Sequence, residues 1–328
     1  MKYYLAPMEG LTDSVYRTLH HQFFGGVDRY YTPFFSPTEV HRLTPRELRE
    51  LDPQNNPAPT VPQLLCKNAD DFLWMAQQIA SLGYSEINLN LGCPSGTVTA
   101  KKKGAGMLAD TDALDAFLEC VFTSCPTRIS IKTRIGYQDT QELPELLEIF
   151  NRYPVCELIV HPRTGKEMYR GMPHLDAYTY VTQNTQIPLC YNGNVLTRAD
   201  AADIAQHFVE TQAIMIGRGL LAYPAMLSDR PVTRTLIRDF HQALYERYRM
   251  VLGSEHATVG RMKEIWLLMI GMFEPDKKYV KRLQQCKNAA ELNGAIMAII
   301  CELPLKDPSF LQKRSDICSQ IDISRRFL

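Results

Sequence analysis

No pair of cysteines in this chain is spaced for a metal ribbon or a disulfide framework. The nine thiols stand at 66, 93, 120, 125, 156, 190, 286, 301 and 318, an odd number without a C-x-x-C unit, so reduced cysteines in a cytoplasmic protein are the expectation. Long apolar runs are missing too: "MKYYLAPMEG" breaks at Pro7 before a signal-like core forms, and no stretch nears the ~18 apolar residues of a membrane span. Net charge is absent as well, with 36 Lys and Arg against 36 Asp and Glu. The balance is uneven, however, because residues 231–328 carry 16 basic and 11 acidic side chains. That surplus permits a polyanionic partner without requiring one.

What is present is 328 residues, 45% hydrophobic and 22% charged, enough for one large core and a smaller second domain. Eight short apolar runs recur at 3–7, 28–34, 60–65, 86–92, 128–134, 156–162, 187–193 and 212–218, each followed by a Gly, Pro or Asn break. Helix-like segments separate them. In 69–83 Phe72, Met75, Ile79 and Leu82 recur at helical spacing, and 197–208 opens on Thr197 as a cap. Alternating strand and helix imply parallel βα units of the α/β class. Eight units in about 220 residues imply a closed (β/α)8 TIM barrel, with an open doubly wound sheet as the alternative. Past residue 232 only helical periodicity remains. The expected organisation is therefore a barrel domain over 1–232, a small all-helical domain over 233–310 and a loose tail over 311–328.

In such a barrel the reacting groups sit where the strands end. Glycines in "YNGN" (191–194) and "IGRG" (216–219) let backbone N–H groups approach a phosphate, with Arg218 supplying charge, although each alone is also an ordinary βα turn. Lys132 is out of step with Ile129 and Ile131, and it either stabilises negative charge on a bound ring or snorkels at a strand end. His161 either bonds a ligand or is a satisfied core histidine. Gln63, inside the apolar "VPQLL", needs hydrogen-bond partners that a flat heterocycle would supply. In "EINLNLGCPSG" (86–96), Ile87, Leu89 and Leu91 alternate with Asn88 and Asn90, the period of a strand. Cys93 then stands between Gly92, which frees the backbone, and Pro94, which fixes it.

Six motifs in order, "APMEGLTD" (6–13), "NLGCPS" (90–95), "IKTR" (131–134), "VHPRT" (160–164), "NGN" (192–194) and "IGRG" (216–219), resemble the tRNA-dihydrouridine synthases, FMN enzymes with a (β/α)8 barrel and a small helical domain. "RMKEIW" (261–266) is similar to the family's C-terminal part. The resemblance implies that Pro7, Met8 and Glu9 lie against the flavin, that Gln63 and Lys132 hold its pyrimidine edge, and that His161 stands beside it. It places Asn192, Gly193, Asn194, Gly217 and Arg218 around the phosphate. It also implies Cys93 as the proton donor, Asn90 facing the uracil, NADPH as a transient electron donor, and tRNA as the substrate of a cytoplasmic monomer that needs neither metal nor membrane. The RNA backbone is expected to meet Lys101, Arg163 and Arg261, with Lys263, Lys281 and Arg282 as further candidates. Rival readings are an FMN barrel acting on a free pyrimidine, in the manner of dihydroorotate dehydrogenases, and a non-catalytic tRNA-binding module. The chain departs from the family's habit at Gly96 and Thr97, where a basic residue often follows Cys-Pro-Ser, at Pro162, and at Asn194.

Overall fold

Period-two strands bury both faces when they close on themselves and are covered by helices, and this chain does so. In the computed structural model, which describes residues 1–313 except Ala58 and Pro275, eight parallel strands form a closed barrel in chain order. They are β1 (Lys2–Leu5), β2 (Arg29–Phe35), β3 (Thr60–Leu64), β4 (Glu86–Leu91), β5 (Arg128–Arg134), β6 (Leu158–His161), β7 (Leu189–Tyr191) and β8 (Thr211–Ile216). Around them run α1 (Ser14–Phe23), α2 (Pro45–Leu51), α3 (Ala69–Ser81), α4 (Gly96–Thr99), α5 (Thr111–Ser124), α6 (Leu143–Asn151), α7 (Leu175–Asn184), α8 (Arg198–His207) and α9 (Arg218–Ala222). Four helices follow: α10 (Arg234–Leu252), α11 (Glu255–Met269), α12 (Lys277–Gln285) and α13 (Ala289–Glu302).

The alternation in β4 and β5 sorts side chains by polarity. Ile87, Leu89, Leu91, Ile129 and Ile131 join the apolar cluster shared with Phe72, Ile79 and Leu118 of the covering helices. Asn88, Asn90, Ser130 and Lys132 have the opposite parity, and the register pairs Asn88 with Ser130 and Asn90 with Lys132. At the other end of the barrel, Tyr4 and Tyr31 close the interior by donating to Glu157 at 2.9 and 3.1 Å. Arg29 pairs with that carboxylate at 3.3 Å.

Helices α10 and α11 are fastened to the barrel through Asp13, which follows β1. Its carboxylate caps α1 by accepting from Tyr16 N–H at 3.1 Å, and it also accepts from the Tyr248 hydroxyl at 2.7 Å and from Arg261 at 2.5 Å. Arg261, expected on an RNA surface, is instead an internal clamp, because a carboxylate buried at a helix N-terminus requires a cation. The first residues of the stretch expected as a tail are ordered. Residues 308–312 form a short helical turn with Leu311 buried and Phe310 edge-on to Tyr223, 5.2 Å between ring centroids. Two apolar residues are enough to dock it, too few to register as a period. Residues 314–328 lie outside the described residues. Removing the Arg261 charge strands the Asp13 carboxylate, so Arg261→Met is expected to lower unfolding stability by about 2–4 kcal/mol; a urea-unfolding loss below about 0.5 kcal/mol would contradict the clamp.

Candidate active site

The strands' C-terminal ends open on a cavity of about 440 Å³. It brings together Cys93, Asn90, Gln63, Lys132 and His161 with the segment Pro7, Met8 and Glu9. Asn192, Gly193, Asn194, Gly217 and Arg218 line the same space. Lys101, Arg163 and Arg261 do not.

A run of side-chain amides forms one wall. The Gly92 and Cys93 N–H groups both point at Asn90 Oδ1, at 3.0 and 2.9 Å. A backbone N–H only donates, so Asn90 must turn its Nδ2 the other way, where it donates to Gln63 Oε1 at 2.8 Å. Gln63 Nε2 then donates to Asn88 Oδ1 at 2.7 Å, and Asn88 Nδ2 to Ser130 Oγ at 3.0 Å. Gln63 lines the cavity and already has partners inside the barrel, because strand closure sets it beside Asn88. Asn90 likewise gives its oxygen to the cysteine turn, and one Nδ2 hydrogen is left for the cavity.

Cys93 is held from behind as well. Its carbonyl accepts from Ala105 N–H at 3.0 Å, and Arg134 Nε donates to the Gly92 carbonyl at 2.8 Å. Gly104 sits against it with φ +56, and a Cβ there would lie 2.8 Å from the Cys93 carbonyl oxygen. Burial pushes the Cys93 thiol up, more strongly than Arg134 and Lys132 pull it down. The group stays a protonated thiol at neutral pH.

The opposite wall is cationic. Burial, helped by Arg134, pushes Lys132 down to about 8, and its ammonium has no hydrogen bond or ion pair among the described residues. Arg163, expected at the surface, is 1% exposed. It donates to His161 Nε2 at 2.8 Å, to the Gly171 carbonyl at 2.7 Å and to Asn194 Oδ1 at 3.1 Å. A guanidinium only donates, so His161 Nε2 is unprotonated and Nδ1 carries the hydrogen. Burial and the neighbouring Arg134 and Lys132 push this imidazole well below its usual range, consistent with the neutral ring. Asn194, in the left-handed region at φ +47, also accepts from Arg218 at 3.4 Å. The acid among the lining residues, Glu9, pairs with Arg46 at 3.1 Å. Unpartnered Lys132, the donor-only His161 Nδ1 and the glycines at 193 and 217 fit a flat anionic ligand of mononucleotide size. Among the described residues no group of acidic, His or Cys side chains is placed to hold a metal, and no helix is long and apolar enough to cross a membrane.

The sequence profile of the dihydrouridine synthase (Dus) family matches residues 4–305. The chain belongs to the dihydrouridine synthase family. A tRNA-dihydrouridine(16) synthase of Neisseria meningitidis serogroup A is 27% identical over 319 residues, 91% of this chain and 95% of that protein. A probable tRNA-dihydrouridine synthase 1 of Synechocystis is 27% identical over 226 residues, 68% of this chain and 62% of the relative, so the match spans less than two thirds of that relative's length. Among solved structures, an old yellow enzyme homologue from Zymomonas mobilis has a TM-score of 0.48 at 10% identity, covering 68% of this chain and 86% of that one. Saturating the C5–C6 bond of uridine adds two electrons and two protons, so a dihydrouridine synthase is an oxidoreductase.

Four contributors to this dihydrouridine synthase site were given no role by the sequence reading. Arg134 was visible only as the end of "IKTR", yet it also donates to the Thr164 and Met168 carbonyls at 2.8 and 2.7 Å. Tyr169, 38% exposed at the mouth, lies 5.5 Å from both the Arg134 and the Arg218 guanidinium carbons. Asn88 had the right parity but no stated direction, and a positive φ at Gly104 has no counterpart in composition. Gly104→Ala is expected to displace the Cys93 turn and slow dihydrouridine formation on the order of 10- to 100-fold; unchanged kcat would remove Gly104 from that role. Because the Lys132 ammonium is lost above about pH 8, affinity for FMN as an anionic probe should be full below that pH and decline above it by at most about tenfold per unit. Lys132→Arg should flatten the decline, read by fluorescence quenching of the probe.

Proposed function

We propose that this member of the family reduces uridines of tRNA to 5,6-dihydrouridine, with FMN in the cavity, NADPH as the visiting electron donor and Cys93 as the proton donor. We place the reaction in the cytoplasm, in a monomer whose residues 1–232 hold the flavin and whose helices within 233–310 hold tRNA. The observation that carries this reading is a thiol kept protonated by burial on the same cavity as an unpartnered ammonium and a paired-glycine cradle.

A flavin held by these residues would supply the hydride that adds to C6 of the uracil, with NADPH as its source of electrons. The chain's own groups do the rest. Addition at C6 builds enolate-like charge toward C5, and the Cys93 Sγ–H gives its proton to C5 and is reprotonated from solvent. Such positioned acid catalysis contributes about 10²- to 10⁴-fold. Lys132 would offset negative charge on a flavin ring held there, and the His161 Nδ1–H would be available to donate to it. The free Asn90 Nδ2 hydrogen is available to a uracil carbonyl. A uridine stacked in tRNA must leave its stack to reach this depth, and the half-exposed Tyr169 ring at the mouth suits a base in transit. Lys101, exposed and without a partner among the described residues, is free to meet phosphate. Arg163 and Arg261 are not, since both are occupied within the protein.

Incubation with NADPH and tRNA lacking modification should give the mass gain of two hydrogens at uridine. Turnover of free dihydroorotate without any gain on tRNA would sink the proposal. Cys93→Ala should keep the yellow flavin absorbance and lose dihydrouridine formation by at least about 10²-fold; wild-type activity in that variant would take the acid role from Cys93.

A further inference from the structure

The junction at Asp13 does more than attachment of the helices requires. α10 is already held to the barrel by aromatic rings: Phe240 packs on Tyr16, Phe23 and Phe24 at 6.1, 5.4 and 4.8 Å between centroids. Apolar contact of this kind is non-directional. The polar junction is not. The Tyr248 hydroxyl donates to Asp13 Oδ1 at 2.7 Å and Arg261 Nη1 to Oδ2 at 2.5 Å, so each carboxylate oxygen has its own donor from a different helix. Tyr248 is fully buried, and the Arg261 guanidinium carbon lies 5.5 Å from its ring centroid. A buried ion pair adds little net stability over apolar packing of the same volume, which leaves geometry as what this one supplies.

The backbone carries that geometry into the cavity wall. Thr12, next to Asp13, holds the Met8 peptide from both sides: its Oγ1 accepts from Met8 N–H at 2.8 Å, while the Leu11 and Thr12 N–H groups donate to the Met8 carbonyl, both at 3.0 Å. Arg17 fixes Thr12 in turn by donating to its carbonyl at 2.6 Å, and Glu50 accepts from the Ser14 N–H and hydroxyl at 2.8 and 2.9 Å. At the far end Met8 lines the cavity, and its sulfur would stand 3.3 Å from a Cβ at Gly217, so the side chain rests on the turn after β8. Tyr16, whose N–H is capped by the same carboxylate, adds a second route: its hydroxyl donates to the Leu220 carbonyl of α9 at 3.4 Å.

We infer that Tyr248 and Arg261 are positioning residues for the cavity: acting through Asp13, they hold Met8 against the Gly217 turn and so set the wall offered to the flavin. The helical region thereby shapes the reduction of the flavin by NADPH, a step in which no RNA takes part. This rests on the proposed function for its flavin measurements, whereas amide exchange tests it on the protein alone.

Arg261→Lys keeps the charge and loses the planar fork, and Tyr248→Phe keeps the ion pair and loses one hydrogen bond. In both variants the melting midpoint should stay within about 3 °C of wild type. The Met8, Leu11 and Thr12 amides, followed without added FMN, should exchange hydrogen about tenfold faster, and the amides of β4 and β5 should not change. With FMN bound, its visible circular dichroism should alter and its reduction by NADPH without tRNA should slow about threefold to tenfold. On tRNA, kcat should fall by that factor while KM stays within about twofold. Wild-type exchange at Met8, Leu11 and Thr12 together with wild-type flavin reduction overturns the inference. So does a raised KM for tRNA with flavin reduction unchanged, which would make the pair a seat for tRNA, or faster exchange throughout the barrel, which would make it a stabilising contact only. A wild-type protein that takes up no FMN ends the proposed function and leaves the exchange result to decide whether Tyr248 and Arg261 hold the wall.

Discussion

The two amide hydrogens at the start of the cysteine turn, both aimed at Asn90 Oδ1, constrain most of what surrounds them. They decide which way the Asn90 amide faces, and through it Gln63, Asn88 and Ser130. Three strands are thereby locked at one depth by groups that sit where a packed barrel would ordinarily place aliphatic side chains. The arrangement holds together only if every member is satisfied, because a half-bonded amide in the barrel would cost more than an apolar one. That requirement explains why a thiol can be held still at the end of a strand with no disulfide or metal to fix it. Its backbone is bonded on one side by Asn90 and on the other by Ala105, with Arg134 on the preceding carbonyl.

A second constraint runs from the helices to the first strand. The loop after β1 is shaped by Thr12, which accepts from Met8 N–H at 2.8 Å. Asp13, the next residue, is gripped by α10 and α11. The segment Pro7 to Glu9 in the cavity wall is therefore joined to the helical region through one short stretch of backbone. Arg17 and Glu50 add a buried pair behind it, at 3.3 Å, with Arg17 also bonded to the Thr12 carbonyl at 2.6 Å.

Much of the barrel was legible because period-two runs followed by turn residues are local, and eight in a row leave few ways to pack. The strand-end residues were legible for the same reason: Cys93, Lys132, His161 and the 192–194 turn each follow directly from where a run stops. What could not be read was what each polar group would meet. Arg261 advertises charge, but its partner Asp13 is 248 residues away. Gln63 was correctly marked as an amide in need of partners, yet nothing local says that Asn88, 25 residues on, would be opposite. Arg163 stands beside the histidine in sequence, and the loop carbonyl that encloses it at Gly171 comes from a turn with no periodic signal. Alternation identifies two faces of a strand; only closure of the sheet says which one is inside.

The cavity's cations have a thermodynamic consequence beyond recognition. Arg134 and Arg163 are bonded mainly to carbonyl oxygens, which hold a guanidinium in place without neutralising it. Lys132 and Arg218 stand near them, and Arg218 depresses Arg163 further after burial has already done so. Like charges gathered this closely repel one another, a cost that the acidic Glu167 near Arg134 and Arg163 only partly offsets. An anionic ligand removes that internal repulsion, so it acts as the last piece of the folded core, and the mature fold and the charged ligand stabilise each other by mass action.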